Sequence, residues 1–270
     1  MSISQLSRYE YLGRMIMLGQ DPSGEHNILA YAVTGRSPSS RARRLVMMDD
    51  GSLRTDVTQP ELLQQGNPKL LLYDCIRRCH DTWVVSNGMQ TELLHEAAIE
   101  ERRKARQARP ISILARAFRQ PHWVDGRSPH SYIDLTMYEP DAPTYTPRIS
   151  GVVGMDGAAL TIAKRVHEQT VRSWYEVPLT PGHASMISTY SGQNVPSGQP
   201  IPSFAGEPVV IQIEQHSPEE LANAINDALG PKPDGPGIVS PGNDFRVGVA
   251  VYFIHLESRT VTSSIINQFA

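Results

Sequence analysis

The stretch Ile149-Ser-Gly-Val-Val-Gly-Met-Asp-Gly-Ala-Ala-Leu-Thr-Ile-Ala163 carries the strongest turn signal in the chain. Asp156-Gly157 tolerates the positive φ values of a tight turn, and the runs on either side, Ile149 to Val153 and Ala159 to Ala163, have strand composition, which predicts an antiparallel hairpin. Upstream, Tyr9 to Leu18 and His26 to Thr34 flank the turn-forming Asp21-Pro-Ser-Gly24 and read as an opening hairpin. Arg44 to Met48 runs into Asp49-Asp50-Gly51, and Thr82 to Val85 ends at Ser86-Asn87-Gly88, so four strands are expected before the first long helix. That helix is expected from Thr91 to Gln107, and a second follows Pro110 from Ile111 to Phe118. A polar segment leads on to Pro129, and 105–129 reads as a surface insertion. Downstream, strands are expected at Val171 to Val177, Ala184 to Tyr190 and Pro208 to Ile213. Ser217-Pro-Glu-Glu220 then opens a capped helix that Gly230-Pro231 ends, and Arg246 to Leu256 and Arg259 to Ile266 form two final strands. Antiparallel strands with helices gathered in two places indicate an α+β fold, read as one domain over residues 1–270.

With 25 basic and 28 acidic residues the formal charge is −3, which supplies no field to draw the chain onto nucleic acid or a membrane surface. An anionic ligand must therefore be met by locally placed arginines. The two cysteines, Cys75 and Cys79, are too few for a disulfide framework and fit a reducing cytoplasm. MSISQLSRYEYLGR lacks the apolar core of a signal peptide, and no run reaches membrane-spanning length. There is no Walker loop, Gly-x-Gly-x-x-Gly turn, nucleophile elbow or His-Glu-x-x-His helix. Cys75-x3-Cys79-His80 has no second ligand pair at zinc-finger spacing, so no metal site is expected. The mixed-sign run Glu100 to Arg109 reads as a solvated helix face rather than an RNA-binding surface. A homo-oligomer is compatible with this composition.

The remaining polar clusters stand at the ends of apolar runs. Tyr11-Leu-Gly-Arg14 puts a glycine and an arginine inside an expected strand, and Thr34-Gly-Arg36-Ser-Pro-Ser-Ser-Arg41 has the donors of an anion cradle. Tyr73-Asp-Cys-Ile-Arg77, Val84-Val-Ser-Asn-Gly88, Tyr138-Glu139 with Thr146-Pro-Arg-Ile149, and Ile187-Ser-Thr-Tyr190 complete the set. In this order they resemble the archaeal-type IMP cyclohydrolase family over residues 9–190. Its members carry Tyr-Leu-Gly-Arg, Tyr-Asn-Cys-Ile-Arg, Val-Val-Ser-Asn-Gly and Tyr-Glu…Thr-Pro-Arg-Ile elements. The resemblance implies a four-layer αββα sandwich like that of the N-terminal-nucleophile hydrolases. It also implies closure of 5-formamidoimidazole-4-carboxamide ribotide to IMP and water, without cofactor or metal. Asp74 departs from the family's asparagine, and the chain is longer than compact members, which together leave a related purine-type substrate open.

Such a ring closure needs a phosphate anchor, an acid/base group and oxyanion donors. Arg36, Ser37 and Arg41 are the candidate phosphate anchor, with Arg14 an alternative and Arg77 a further substrate contact. Glu139 is the candidate proton-transfer group, with Asp74 its rival; Tyr73, Asn87 and Arg148 are candidates to orient the carboxamide or stabilise the oxyanion. Cys75 is expected to pack or orient rather than attack. An amidohydrolase using Ser2 or Cys75 on the same fold, and a non-catalytic nucleotide-binding protein, are the alternative readings.

Overall fold

The computed structural model describes residues 1–63, 68–104, 108–126, 132–196, 198–231 and 244–269. A 3-10 helix at Ile3–Arg8 precedes β1 (Arg14–Gln20), which pairs with β2 (His26–Thr34) across the expected turn. The first strand starts later than its sequence suggests. At Gly13 φ is +70°, and a Cβ there would lie 2.1 Å from Thr189 Oγ1, so the chain turns at the glycine and the strand begins with Arg14. A single turn, α1 (Pro38–Arg41), leads to β3 (Arg43–Met47) and β4 (Leu53–Val57). The short α2 (Pro60–Leu63) and α3 (Pro68–Leu71) precede β5 (Asp74–Cys79) and β6 (Thr82–Ser86).

Two of these six strands, β4 and β5, were not expected from the sequence. In β4 the buried inward residue Thr55 is polar and is satisfied by Leu71 O at 2.8 Å, so hydrophobic alternation is weak there. In β5 the adjacent Cys75 and Ile76 are both buried, which breaks the period of two.

The helix α4 (Thr91–Lys104) and α5 (Pro110–Ala117) agree with expectation where described; 105–107 lie outside the described residues. Ile113 and Leu114 of α5 are fully buried, so this part of the supposed surface insertion is core, while 127–129 lie outside the described residues. Trp123–Asp125 (β7) and Tyr132–Asp134 (β8) form a separate two-stranded ribbon. Next come β9 (Arg148–Val153) and β10 (Ala158–Val166), which pair antiparallel with Val153 opposite Ala158 across the Asp156-Gly157 turn. Gln169–Val177 (β11), His183–Ser188 (β12) and Val209–Gln212 (β13) follow. Ser217 Oγ accepts from Glu220 N at 3.1 Å to cap α6 (Pro218–Ala228), and β14 (Arg246–His255) and β15 (Val261–Asn267) end the order.

Two antiparallel sheets result, one in the order β13-β12-β1-β2-β14-β15 and the other β11-β10-β9-β6-β5-β4-β3. One apolar cluster joins their facing sides, with Ile16, Leu18, Leu29 and Tyr31 meeting Ile76, Val85, Ile149 and Leu160. The opposite side of the first sheet packs against α6 and the 3-10 helix through Ile28, Val249, Leu221 and Leu6. That of the second packs against α4 and α5 through Val84, Val152, Leu94 and Ile113. This explains why β1 is buried along its whole length and shows no alternation. Polar struts also join the sheets. Asn27, opposite Gln20 at one end of β1, donates to Gly154 O at 2.8 Å and to Met155 O at 3.1 Å. At the other end of β1 stands Arg14. Among the described residues no helix is long and apolar enough to cross a membrane.

Candidate active site

Arg14 opens β1 because Gly13 turns the chain there, and Thr189 Oγ1 accepts its backbone N–H at 3.1 Å. Its Nη2 donates to Glu139 Oε1 at 2.7 Å, joining residues 125 positions apart, and both side chains are nearly inaccessible. Glu139 is held by its own loop. Its N–H donates to Thr146 O at 2.8 Å, while Asp141 accepts from Thr146 N at 2.7 Å and from Thr146 Oγ1 at 2.5 Å. Burial raises the Glu139 carboxyl to about 7 although Arg14 and Arg148 pull it down, so it exchanges protons near neutrality. Burial is the largest single influence on Arg14 and pulls it down, but Glu139 together with Tyr73, Tyr190 and Tyr31 outweighs it and holds the guanidinium protonated.

This pair lines a cavity of about 650 Å³. Arg36, Ser37 and Arg41 line the same cavity, as do Tyr11, Asp141, Tyr190 and Phe245. Arg36 donates to Asn194 Oδ1 at 3.1 Å and Val195 O at 2.6 Å, and its guanidinium lies 5.2 Å from the Tyr11 ring centre. Ser37 caps α1 by accepting from Ser40 N at 3.1 Å. Tyr11 stacks on Tyr190 at 5.4 Å and meets Phe245 edge-on, giving the cavity a flat aromatic wall. A dyad, basic donors and a ring-sized apolar wall therefore converge in one place. A larger groove of about 1190 Å³, by Asp81, Arg109 and Arg259, holds none of the candidate site residues, and two of its arginines are paired with Glu176 and Asp81.

The model of the IMP cyclohydrolase-like protein family matches residues 11–123 and 130–232, which spans this cavity. The chain belongs to that family. It is 28% identical over 192 residues to an IMP cyclohydrolase of Methanococcus maripaludis, covering 71% of this chain and 80% of that protein. To an IMP cyclohydrolase of Methanothrix thermoacetophila it is 30% identical over 180 residues, covering 67% of this chain and 74% of the relative.

For this family member the structure separates the motif residues into two groups. Arg14, Arg36, Ser37, Arg41 and Glu139 line the cavity, and Arg148 stands behind Glu139 at 3.8 Å. Tyr73 lies between the sheets with its hydroxyl 2.9 Å from that of Tyr31, near enough to Arg14 to raise its proton affinity. Cys75 is fully buried, its thiol donates to Leu53 O at 3.3 Å, and burial raises its pKa, an environment that disfavours the thiolate. Asp74 and Arg77 do not line the cavity. Asp74 pairs with Arg54 at 2.8 Å, which gives its carboxylate a partner, and Arg77 pairs with Glu92 on α4. Ser2 bridges to Gln212 on the edge strand β13 and does not line the cavity. Among the cavity residues without a role in the sequence reading are Tyr11, Asp141, Thr146, Tyr190, Asn194 and Phe245. Four of them sit in or beside the quoted motifs, and that placement was the available signal.

Asn87 is tied into the framework around the site. Fully buried, it donates to Pro147 O at 2.8 Å and accepts from Ile149 N at 2.8 Å and Gln90 Nε2 at 2.9 Å. Asn87→Ala is expected to lower stability by about 2–4 kcal/mol, because it leaves a buried N–H and a buried carbonyl unpaired. Equilibrium urea unfolding measures it; a loss under about 0.5 kcal/mol, the range of ordinary surface changes, would mean that these hydrogen bonds do not hold the framework.

Proposed function

We propose that this chain closes 5-formamidoimidazole-4-carboxamide ribotide to IMP and water. The observation that carries this is Glu139, buried against Arg14 with a carboxyl near 7, in an arginine-rimmed cavity of a member of this family. The carboxamide nitrogen attacks the formyl carbon, a C–N bond forms, and the formyl oxygen leaves as water. Glu139 takes the proton from the attacking nitrogen and passes it to the formyl oxygen; the resulting hydroxyl leaves as water with the proton that the formamido nitrogen gives up as the ring C=N bond forms. Arg14, which lines the cavity beside it, stabilises the oxyanion as it develops. Arg36, Ser37 and Arg41 hold the ribotide phosphate, and the Tyr11, Tyr190 and Phe245 wall takes the flat ring. The fold reading that goes with it is one domain built as a four-layer αββα sandwich like the N-terminal-nucleophile hydrolases. Its support is the facing of the two sheets and the helices on their outer sides.

The test is incubation of purified protein with the formylated ribotide and measurement of IMP. Formation of IMP at rates far above the uncatalysed closure is expected, and EDTA is expected to leave the rate unchanged, since only proton transfers accompany the bond changes. Activity lost on chelation and restored by one metal would overturn the metal-free scheme. Arg36→Ala is expected to raise KM roughly ten- to hundredfold, the equivalent of about 1.5–3 kcal/mol for a lost charge-assisted contact, with kcat little changed. A collapsed kcat at unchanged KM would move Arg36 from the anchor to the reacting atoms.

A further inference from the structure

Behind Glu139 lies a second layer of buried polar groups that the ring closure does not itself use. Arg148 is 1% exposed, and its Nη1 donates to Gln90 Oε1 at 2.9 Å while standing 3.8 Å from Glu139 Oε1. Its Nε and Nη2 are buried without a hydrogen-bond partner. A buried guanidinium with free donors is drawn to the nearest carboxylate, and a charge-assisted hydrogen bond would bring it to about 2.8 Å. It is about 1 Å short of that distance. What holds it back is Gln90, fully buried at the entrance to α4 and itself fixed by donating to Asn87 Oδ1 at 2.9 Å. The two side chains meet over Gly88: a Cβ at that position would lie 2.6 Å from Gln90 Oε1 and 2.7 Å from Arg148 Nη1.

We propose that Gln90 is a positioning residue that holds Arg148 off Glu139 and so sets the proton affinity of the reacting carboxyl. The groups that face Glu139 are Arg14 on β1, Arg43 on β3, Arg148 on β9 and Asp141 on its own loop. Arg14 is already in contact with Glu139, and Arg43 is tied to Ser40 O at 2.9 Å. Asp141 is committed to Thr146, so the Arg148 distance is the setting that Gln90 controls. A second direct ion pair would stabilise the carboxylate and lower its pKa by about 1–3 units, leaving a weaker base for the carboxamide proton.

This inference rests on Glu139 as the proton-transfer group, and the experiment separates the two. Protein labelled with ¹³C at the glutamate carboxyls is titrated by NMR, the Glu139 resonance being the one absent from Glu139→Gln. In Gln90→Met, Arg148 loses its acceptor and closes on Glu139, so the midpoint falls by about one unit or more. In Gln90→Glu, Arg148 gains a competing carboxylate partner and the midpoint rises. Gly88→Ala crowds the Gln90–Arg148 contact and shifts the midpoint downward, like Gln90→Met. The limb of kcat/KM against pH moves with the midpoint in each variant. If Gln90→Met does not fold, the upward shift in Gln90→Glu decides alone. Midpoints that stay within about 0.3 unit of the unsubstituted protein, or that move the same way in Gln90→Met and Gln90→Glu, would overturn the role of Gln90 whether or not Glu139→Gln is active. An active Glu139→Gln with an unchanged pH profile would instead remove the catalytic reading while leaving the NMR shifts to judge the geometry.

Discussion

Glu139→Gln is expected to lower turnover by about a hundredfold to ten-thousandfold while IMP binding changes by no more than a few-fold. Glutamine keeps the size of the side chain and an oxygen that can accept from Arg14 Nη2, but it cannot exchange a proton. The pH dependence carries a sign that makes the assignment specific. Burial raises the carboxyl from its ordinary 4.5 to about 7, so below pH 7 the free enzyme holds it protonated and unable to take the carboxamide proton. The value of kcat/KM is therefore lost as pH falls through about 7, and this limb is absent from the residual activity of Glu139→Gln. Asp74→Asn is the control. Its carboxylate is engaged by Arg54 and does not line the cavity, so near-normal turnover is expected. The reverse outcome, an active Glu139→Gln and a dead Asp74→Asn, would transfer the proton to the position where this chain departs from its family's motif.

The second large effect is on stability. Among the described residues, Arg14→Met removes the only contact at hydrogen-bond distance to the Glu139 carboxylate, and breaking a buried pair costs about 3–5 kcal/mol when the remaining charge stays ionised. Glu139 escapes that cost by keeping its proton. With Arg14 gone, burial is opposed by less positive charge, so the carboxyl titrates above about 7. At pH 5.5 it is protonated with or without Arg14, and the titration adds nothing to the difference between the two proteins. At pH 8.5 the unsubstituted protein carries the paired carboxylate and the variant does not, so the destabilisation grows as pH rises. Urea unfolding at these two pH values measures this. A loss that is equal at both, or greater at pH 5.5, would mean that the pair does not govern the titration of Glu139.

The elements legible in the sequence were those whose signals are local. His26–Thr34 is bounded by a proline-glycine turn, β9 and β10 meet at Asp156-Gly157, and α6 carries its own cap at Ser217. The strand β4 was hidden because Thr55 satisfies its burial through hydrogen bonds rather than apolar surface. The late start of β1 was hidden because the obstacle at Gly13 is Thr189, 176 residues further along the chain. The site divides the same way. Glu139, Arg14 and Arg36 stood in motifs, whereas the pairing of Arg14 with Glu139, the framework role of Asn87 and the part played by Gln90 are contacts between distant segments that no spacing encodes.

The two struts at either end of β1 have a kinetic consequence. Neither sheet alone contains the reacting pair: Arg14 belongs to one, and Glu139 is carried on the loop that enters the other. Such long-range contacts form late, after the chain has met the entropic cost of closing its large loops. During refolding, strand content can therefore return before any catalysis does. The recovery of IMP formation becomes a clock for the docking of the two sheets, and the Asn27 contacts at the far end provide a handle for slowing that clock without touching the site.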